Sequence, residues 1–399
     1  MRICLLKFYG WPESFNERVA QLASHVDEVV VIKPKNIDTK REPADVADNV
    51  VVIPLYPSRR PVMKPRFKSA VLPLYTIQAV VFYLLFALQS GHCDVFHSFD
   101  RPFASLTAAA LAAITGRPHV ASVRGLILPR YESRGSLPRR LQNGLLRSVI
   151  APLIELSLRG CAHVITKAEF QRRVVTEITG IESRRISTIP TGVDYDVFTP
   201  TAGDSKLSVL NELLCSDAQP GHVVLFLGKL VPGKGADLFV EHAISETFPK
   251  DIEFLLVGEC LNEEFEHKLR SIVQESDSGS KVTIHADRIP YEDVPKLLSE
   301  IDSVALLSRA GVEGVPRVLQ EACVSETPII AADVDGISGA FKGQEGCYLI
   351  QRNNPKEFRE AILASRESTP NREVFRDTLD MDKNYAKYAR IYESVSQGD

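Results

Sequence analysis

The stretch "EGVPRVLQEA", Glu313 to Ala322, sets two glutamates eight positions apart, with a glycine and a proline just after the first. On one helix, eight steps of about 100° would leave the carboxylates about 80° apart, on different faces. Pro316 is unsuited to a helix interior and well suited to a first helical position. The reading is therefore a loop carrying Glu313, a helix starting at Pro316, and Glu321 in its second turn. Gly314 permits close backbone approach. The free N–H groups of such a helix start suit a phosphate or a developing negative charge.

The same half of the chain contains "LFLGKLVPGKGADLF". Lys229 follows a strand-like run directly, and Lys234 precedes Gly235 at the start of the next helix. Two lysines amid glycines near a helix N-terminus make an anion site; the alternative is a surface turn with solvated lysines. The stretch matches neither G-x-x-x-x-G-K-[ST] nor G-x-G-x-x-G, and neither fingerprint follows the first strand, which argues against P-loop and dinucleotide-dehydrogenase readings. Glu313 could accept hydrogen bonds from hydroxyls on one side of the helix start and Glu321 from hydroxyls on the other. Paired hydroxyl acceptors beside a diphosphate site describe a nucleotide-sugar.

Working outward, short apolar runs alternate with longer amphipathic stretches from end to end. In the first half these runs are "RICLLKF", "EVVVIK", "NVVVIPL", "DVFHSF", "HVASVRG", "HVITKA" and "ISTIP". In the second half they are "HVVLFLGKL", "IEFLLVGE", "KVTIHA", "SVALLS", "TPIIAAD" and "CYLI". This alternation predicts parallel sheets covered by helices, and two series of runs predict two such domains. The break falls near "TGVDYDVFTPTAGDSK". The expected organisation is one domain over 1–200 and a second over 201–375, two facing Rossmann-like α/β domains with a deep cleft between them. Within 376–399, "NYAKYARIYESV" reads as an amphipathic helix with its tyrosines on one side, expected to pack back onto the first domain. Ligands in open α/β sheets bind beyond the C-terminal strand ends, and a cleft between domains can exclude water.

Bulk properties set the class. At 399 residues, 44% hydrophobic and 25% charged, the chain reads as a soluble globular protein of two domains. A net charge of −4 gives no reason to expect nucleic acid. Seven scattered cysteines form neither a disulfide framework nor a zinc site and suit a reducing cytoplasm. The start, "MRICLLKFYG", lacks the features of a signal peptide. "AVLPLYTIQAVVFYLLFAL", Ala70 to Leu88, is uncharged and follows the basic "RRPVMKPRFK". A helix buried in a domain is the leading reading; a helix lying on a membrane surface and a bilayer span stay open, the last weakened by Pro73, Thr76 and Gln78.

On these motifs the chain resembles the retaining glycosyltransferases of family four, group 1, with the GT-B fold. The resemblance rests on "GKLVPGKG", "LLVGE", "YEDVPKLLSEIDSVALLS", "EGVPRVLQEA", "ETPIIAADVDGI" and "IPTGVDYDVFTP". It implies transfer of a sugar from a nucleoside-diphosphate donor, UDP-sugar first and GDP-sugar next, to a hydroxyl of a glycan or lipid-linked acceptor. It implies no cofactor and no metal, and it makes 1–200 the acceptor domain and 201–375 the donor domain. It assigns Lys229 and Lys234 to the diphosphate, Glu313 to the donor sugar, Glu321 to the ribose, and Gly228 and the backbone of Gly314, Val315, Pro316 and Arg317 to the donor. Lys229, Lys234 and Glu313 are the candidate catalytic residues. On the acceptor side it points to Gly10, Arg124 and Gly125.

Three departures stand out. Relatives usually carry Arg at Lys229, paired glycines where "YGWPESFNER" has Ser14 and Phe15, and His-Gly where this chain has Arg124 and Gly125. Base contacts in the family are largely backbone, here around "HADRIP". "DVD", Asp333 to Asp335, resembles a metal motif of another transferase fold, yet follows a strand where relatives often have Asp-Val-Gly. His97, His119 and His163 lie in or beside apolar strands and read as structural. The arginines between Arg117 and Arg147 read as a solvated face, or as a surface for an anionic glycan or lipid phosphates. A nucleotide-sugar binding protein on a transferase scaffold, a nucleotide-sugar epimerase, and sucrose-synthase-like or phosphorylase-like transfer are the rival readings.

Overall fold

The computed structural model describes residues 1–8, 14–36, 43–45, 47–59, 72–99, 103–123, 151–200, 208–214, 221–276, 281–311 and 314–398. Two compact units emerge: Met1–Ile189 with Asp382–Asp399, and Pro190–Met381.

The first unit is built on β1 (Arg2–Leu6), β2 (Glu28–Asn36), β3 (Val50–Arg59), β4 (Val95–Ser98), β5 (His119–Val123), β6 (His163–Thr166) and β7 (Ile186–Thr188). They form a seven-stranded sheet in the order β3-β2-β1-β4-β5-β6-β7, with every neighbouring pair parallel. The second unit has β8 (His222–Leu227), β9 (Ile252–Val257), β10 (Lys281–His285), β11 (Ser303–Leu306), β12 (Ile329–Ala332) and β13 (Cys347–Ile350). Its six-stranded order is β10-β9-β8-β11-β12-β13, again parallel throughout. Strands covered on both faces must be apolar on both, and β4, β5, β11 and β12 are buried at every position. Each sheet reverses its strand order once, at β1/β4 and at β8/β11. These reversals are where ligands of doubly wound folds sit.

The chain enters the second unit at Pro190 rather than near 200. Val193, Tyr195 and Phe198 pack in the second core, and the Val193 N–H donates to the Leu379 carbonyl at 2.7 Å. The turn-rich segment thus carries the apolar side chains that tie it forward. Its counterpart, the helix Arg372–Leu379, buries Phe375 and Leu379 in the same core.

The helix Met381–Gln397 belongs, from Asp382 on, to the first unit. Tyr385, Tyr388 and Tyr392 lie on its buried side. The Tyr392 hydroxyl meets His97 Nδ1, and Lys167 Nζ donates to the Tyr388 hydroxyl. His97 Nε2 pairs with Ser122 Oγ at 2.9 Å, and His119 Nε2 with Ser98 Oγ at 2.9 Å. Burial, with the nearby His119 and Lys167, holds His97 well below the ordinary imidazole range, and burial holds His119 at about 3. Both are satisfied core residues.

A consequence is acid sensitivity. From the ordinary histidine value of 6.5 down towards 3, the unfolded chain takes up protons that folded His119 refuses, so falling pH stabilises the unfolded state. Each such histidine contributes a slope of up to about 1.4 kcal/mol per pH unit in that window. The urea midpoint should therefore fall below pH 6.5, and His119→Gln should shallow that acid limb. An identical slope in the variant would remove His119 as a cause.

Candidate functional site

The switch point between β8 and β11 holds the lysine turn. From Leu227 the chain runs through Gly228, Lys229 and the 3-10 turn Pro232–Lys234 into the helix Ala236–Ser245. Gly235, at φ 82°, opens that helix. A Cβ there would lie 2.1 Å from the Leu307 carbonyl oxygen, so only glycine lets the turn press against the end of β11. At the end of β9, a Cβ on Gly258 would fall 1.8 Å from the Gly228 carbonyl oxygen. The ends of β8, β9 and β11 are thereby drawn together. Lys234 folds back over Gly228, with Nζ 3.5 Å from where a Gly228 Cβ would stand. Lys229 is exposed and Lys234 half-buried.

Hydrogen bonds lock the two loops to each other. The Arg309 N–H donates to the Gly233 carbonyl at 2.9 Å. Arg352 Nε donates to the Leu307 carbonyl at 2.8 Å and Nη2 to the Pro232 carbonyl at 3.4 Å. Burial, then the Arg309 guanidinium, lowers the Arg352 pKa. Lys229, Lys234 and Arg309 thus stand on two loops that Arg352, from beyond β13, ties together, a cationic cluster suited to an anion. Neither Arg309 nor Arg352 is legible as a site residue from motif spacing.

Beyond β11, residues Gly314–Pro316 lead into the helix Arg317–Val324, with Pro316 at φ −58° as its N-cap. The helix therefore starts one position later than the sequence suggests, within the usual spread of helix ends. Gly314, Val315 and Arg317 are half-buried and Pro316 is buried. Gln320 fixes the lead-in: Nε2 donates to the Val315 carbonyl at 2.9 Å, while Oε1 accepts the Gly192 N–H at 3.2 Å.

Glu321 is not the open acceptor the sequence suggests. It is 4% exposed, with Oε1 2.8 Å from Arg317 Nε and accepting the Tyr291 hydroxyl at 3.1 Å. Arg317 also donates to that hydroxyl, and its guanidinium lies 4.6 Å from the Tyr291 ring centre. Burial raises the Glu321 pKa, against the pull of Arg317 and the Tyr291 hydrogen bond. Tyr291 and Gln320 are the supports that motif reading misses. The "HADRIP" segment lies at the end of β10, where the His285 and Ala286 carbonyls accept from Gly258 and Cys260.

Other candidates sort simply. Glu313, Gly10, Arg124 and Gly125 lie outside the described residues. Phe15 is a core residue, its ring 5.1 Å from that of Phe99. Asp333 pairs with Lys342 at 3.1 Å, and hydrogen bonds from Ser338 and Lys342 lower its pKa.

Two family models match the chain. "Glycosyltransferase Family 4" covers residues 16–197 and "Glycosyl transferases group 1" covers residues 221–367. A D-inositol 3-phosphate glycosyltransferase of Acidothermus cellulolyticus is 27% identical over 205 residues, 50% of this chain and 44% of the relative. One from Paenarthrobacter aurescens is 24% identical over 68% of this chain and 64% of the relative. A mannosylfructose-phosphate synthase of Agrobacterium fabrum is 26% identical over 46% and 40%. The chain spans about half the length of the curated relatives it matches. Among solved structures, a glycosyltransferase from Rickettsia africae superposes with a TM-score of 0.72 at 14% identity, covering 100% of this chain and 99% of that one. Anabaena HepE in complex with UDP-glucose gives 0.67 at 18% identity, covering 100% and 98%. These similarities carry the two Rossmann-like units of the GT-B fold. With one model on each unit, the chain belongs to the family 4, group 1 glycosyltransferases.

Proposed function

We propose that the chain is a retaining transferase that moves a sugar from a nucleoside-diphosphate donor to an acceptor hydroxyl. The observation that carries this reading is the Gly235–Leu307 approach, which sets the Lys234 turn against the loop that leads to the Arg317 helix. A diphosphate bound there would meet Lys229, Lys234 and helix-start N–H groups, with the Glu321 carboxylate the partner proposed for the ribose and Glu313 the residue that the family resemblance assigns to the sugar. Glu321 is engaged by Arg317 and the Tyr291 hydroxyl and is assigned to the ribose, away from the anomeric carbon, so front-face transfer is proposed rather than double displacement. The leaving diphosphate itself takes the acceptor proton, on the face of the sugar it departs from. Catalysis is then positioning and charge stabilisation.

Uracil is the proposed base, with a UDP-sugar as donor, in keeping with the UDP-glucose complex of the Anabaena neighbour. The acceptor is a glycan or a lipid-linked hydroxyl. Two relatives carry phosphate-bearing acceptors or products in their names, so sugar and polyol phosphates belong in the same assay. The described cysteines are free thiols, which supports a cytoplasmic location.

A thermal-shift panel of UDP-, GDP- and ADP-sugars tests the donor. Saturation at a hundred times Kd stabilises by about 2.7 kcal/mol, or roughly 5–10 °C for a unit of this size. A panel without any shift removes the reading. EDTA should leave transfer mostly intact, because the proposed charge partners are lysines and backbone. Loss on chelation with rescue by Mg²⁺ or Mn²⁺ would return Asp333 and Asp335 to consideration.

A further inference from the structure

The helix Leu72–Ser90 has two apolar faces. Tyr75, Ala79, Tyr83 and Ala87 enter the core of the first unit. At about 100° per residue they centre half a turn away from Leu74, Ile77, Val81, Leu85 and Leu88. Those five are 43%, 63%, 46%, 55% and 83% exposed. They form a stripe about 80° wide and about 21 Å long. The helix holds no charged residue, and its Gln78 is consumed locally: the Tyr56 N–H donates to Oε1 at 2.8 Å, and Nε2 donates to the Tyr56 carbonyl at 2.7 Å. Tyr56 itself is 45% exposed. An exposed row of large aliphatics marks an interaction surface.

We propose that this face docks the protein on an anionic bilayer, with the helix lying in the plane of the interface. Charge identifies the occupant. From Asn49 to Cys93 the sequence contains no Asp or Glu, while "RRPVMKPRFK", Arg59 to Lys68, carries five basic residues. Lys68 stands four residues before Leu72 in the sequence. Basic residues beside an apolar stripe bind anionic headgroups while the aliphatics enter the acyl boundary. Spanning would pull Tyr75 and Tyr83 out of the core and break the bond from the Cys93 N–H to the Tyr83 hydroxyl at 2.8 Å. The helix lies flat. This assignment stands on the helix face and not on the transfer reading.

Co-sedimentation of the full chain with phosphatidylcholine vesicles, with and without half phosphatidylglycerol, tests it. Binding to the anionic vesicles is expected, weakened by high salt and by omission of phosphatidylglycerol. Each half-exposed aliphatic contributes about five-fold to partition, so the combined Ile77→Ser, Leu85→Ser, Leu88→Ser variant should bind roughly a hundred-fold more weakly. Its circular dichroism should be unchanged, since the three side chains leave the core untouched. Lys64→Glu with Lys68→Glu, which spares the helix, should lose about five-fold per site on anionic vesicles only. Absence of binding by the full chain, or unaltered binding by both variants, overturns the proposal. So does a full chain that ignores vesicles but forms a dimer the serine variant abolishes, because the face would then pair two copies.

Discussion

Lys234→Ala is expected to lower turnover at saturating donor by roughly thirty- to a thousand-fold, equivalent to about 2–4 kcal/mol. Negative charge grows on the diphosphate as the sugar departs, so a lysine aimed there contributes more in the transition state than in the bound donor. Its loss should lower kcat more than it raises the apparent donor constant. Lys229→Ala acts in the same direction and more weakly, because Lys229 is exposed whereas Lys234 is half-buried over Gly228. A solvated charge is screened. Lys229→Arg installs the residue relatives usually carry and should keep most activity, since a guanidinium can hold the phosphate bidentately. Saturation kinetics on the three variants, with circular dichroism to confirm folding, make the measurement. Alanine variants that turn over normally would leave both lysines as binding groups only.

The strands were legible because parallel sheets are covered on both faces and read as unbroken apolar runs. "HVVLFL" and "SVAL" appear in the sequence as they appear in the sheet. Strand order was not legible from those runs, since β8 pairs with β11 across two intervening strands. The lysine turn could be found because glycines and lysines sit next to one another in sequence. Its bracing could not. Arg352 reaches Leu307 across 45 positions and Tyr291 reaches Glu321 across 30, and no local period encodes either contact. The glycines announce conformational freedom, but not that a Gly235 Cβ would strike the Leu307 carbonyl.

Glu321 shows what burial changes. Read on the sequence alone, Glu321→Ala removes one or two ribose hydrogen bonds, about 1–3 kcal/mol of donor affinity, and leaves the fold intact. In the structure it also strips Arg317 and the Tyr291 hydroxyl of the carboxylate they share. Breaking one side of a buried ion pair costs about 3–5 kcal/mol, and Arg317, with 19% of its side chain exposed, places the expected loss towards the lower end. Glu321→Ala should therefore melt several degrees lower and bind nucleotide more weakly. Glu321→Gln separates the two effects. It keeps a hydrogen-bond acceptor for Arg317 and Tyr291 and removes the ionisation. Burial raises the Glu321 pKa above its ordinary value of 4.5, so the folded state holds this proton more tightly than the unfolded chain. The resulting stabilisation is complete below 4.5 and lost as pH rises through the folded-state value. The melting advantage of the native protein over Glu321→Gln should accordingly shrink from acid towards neutral pH. An advantage that grows instead would mean that Arg317 outweighs burial. Unchanged nucleotide affinity by calorimetry in both variants would remove Glu321 from the donor site and leave the residue as a brace for the helix that opens at Arg317.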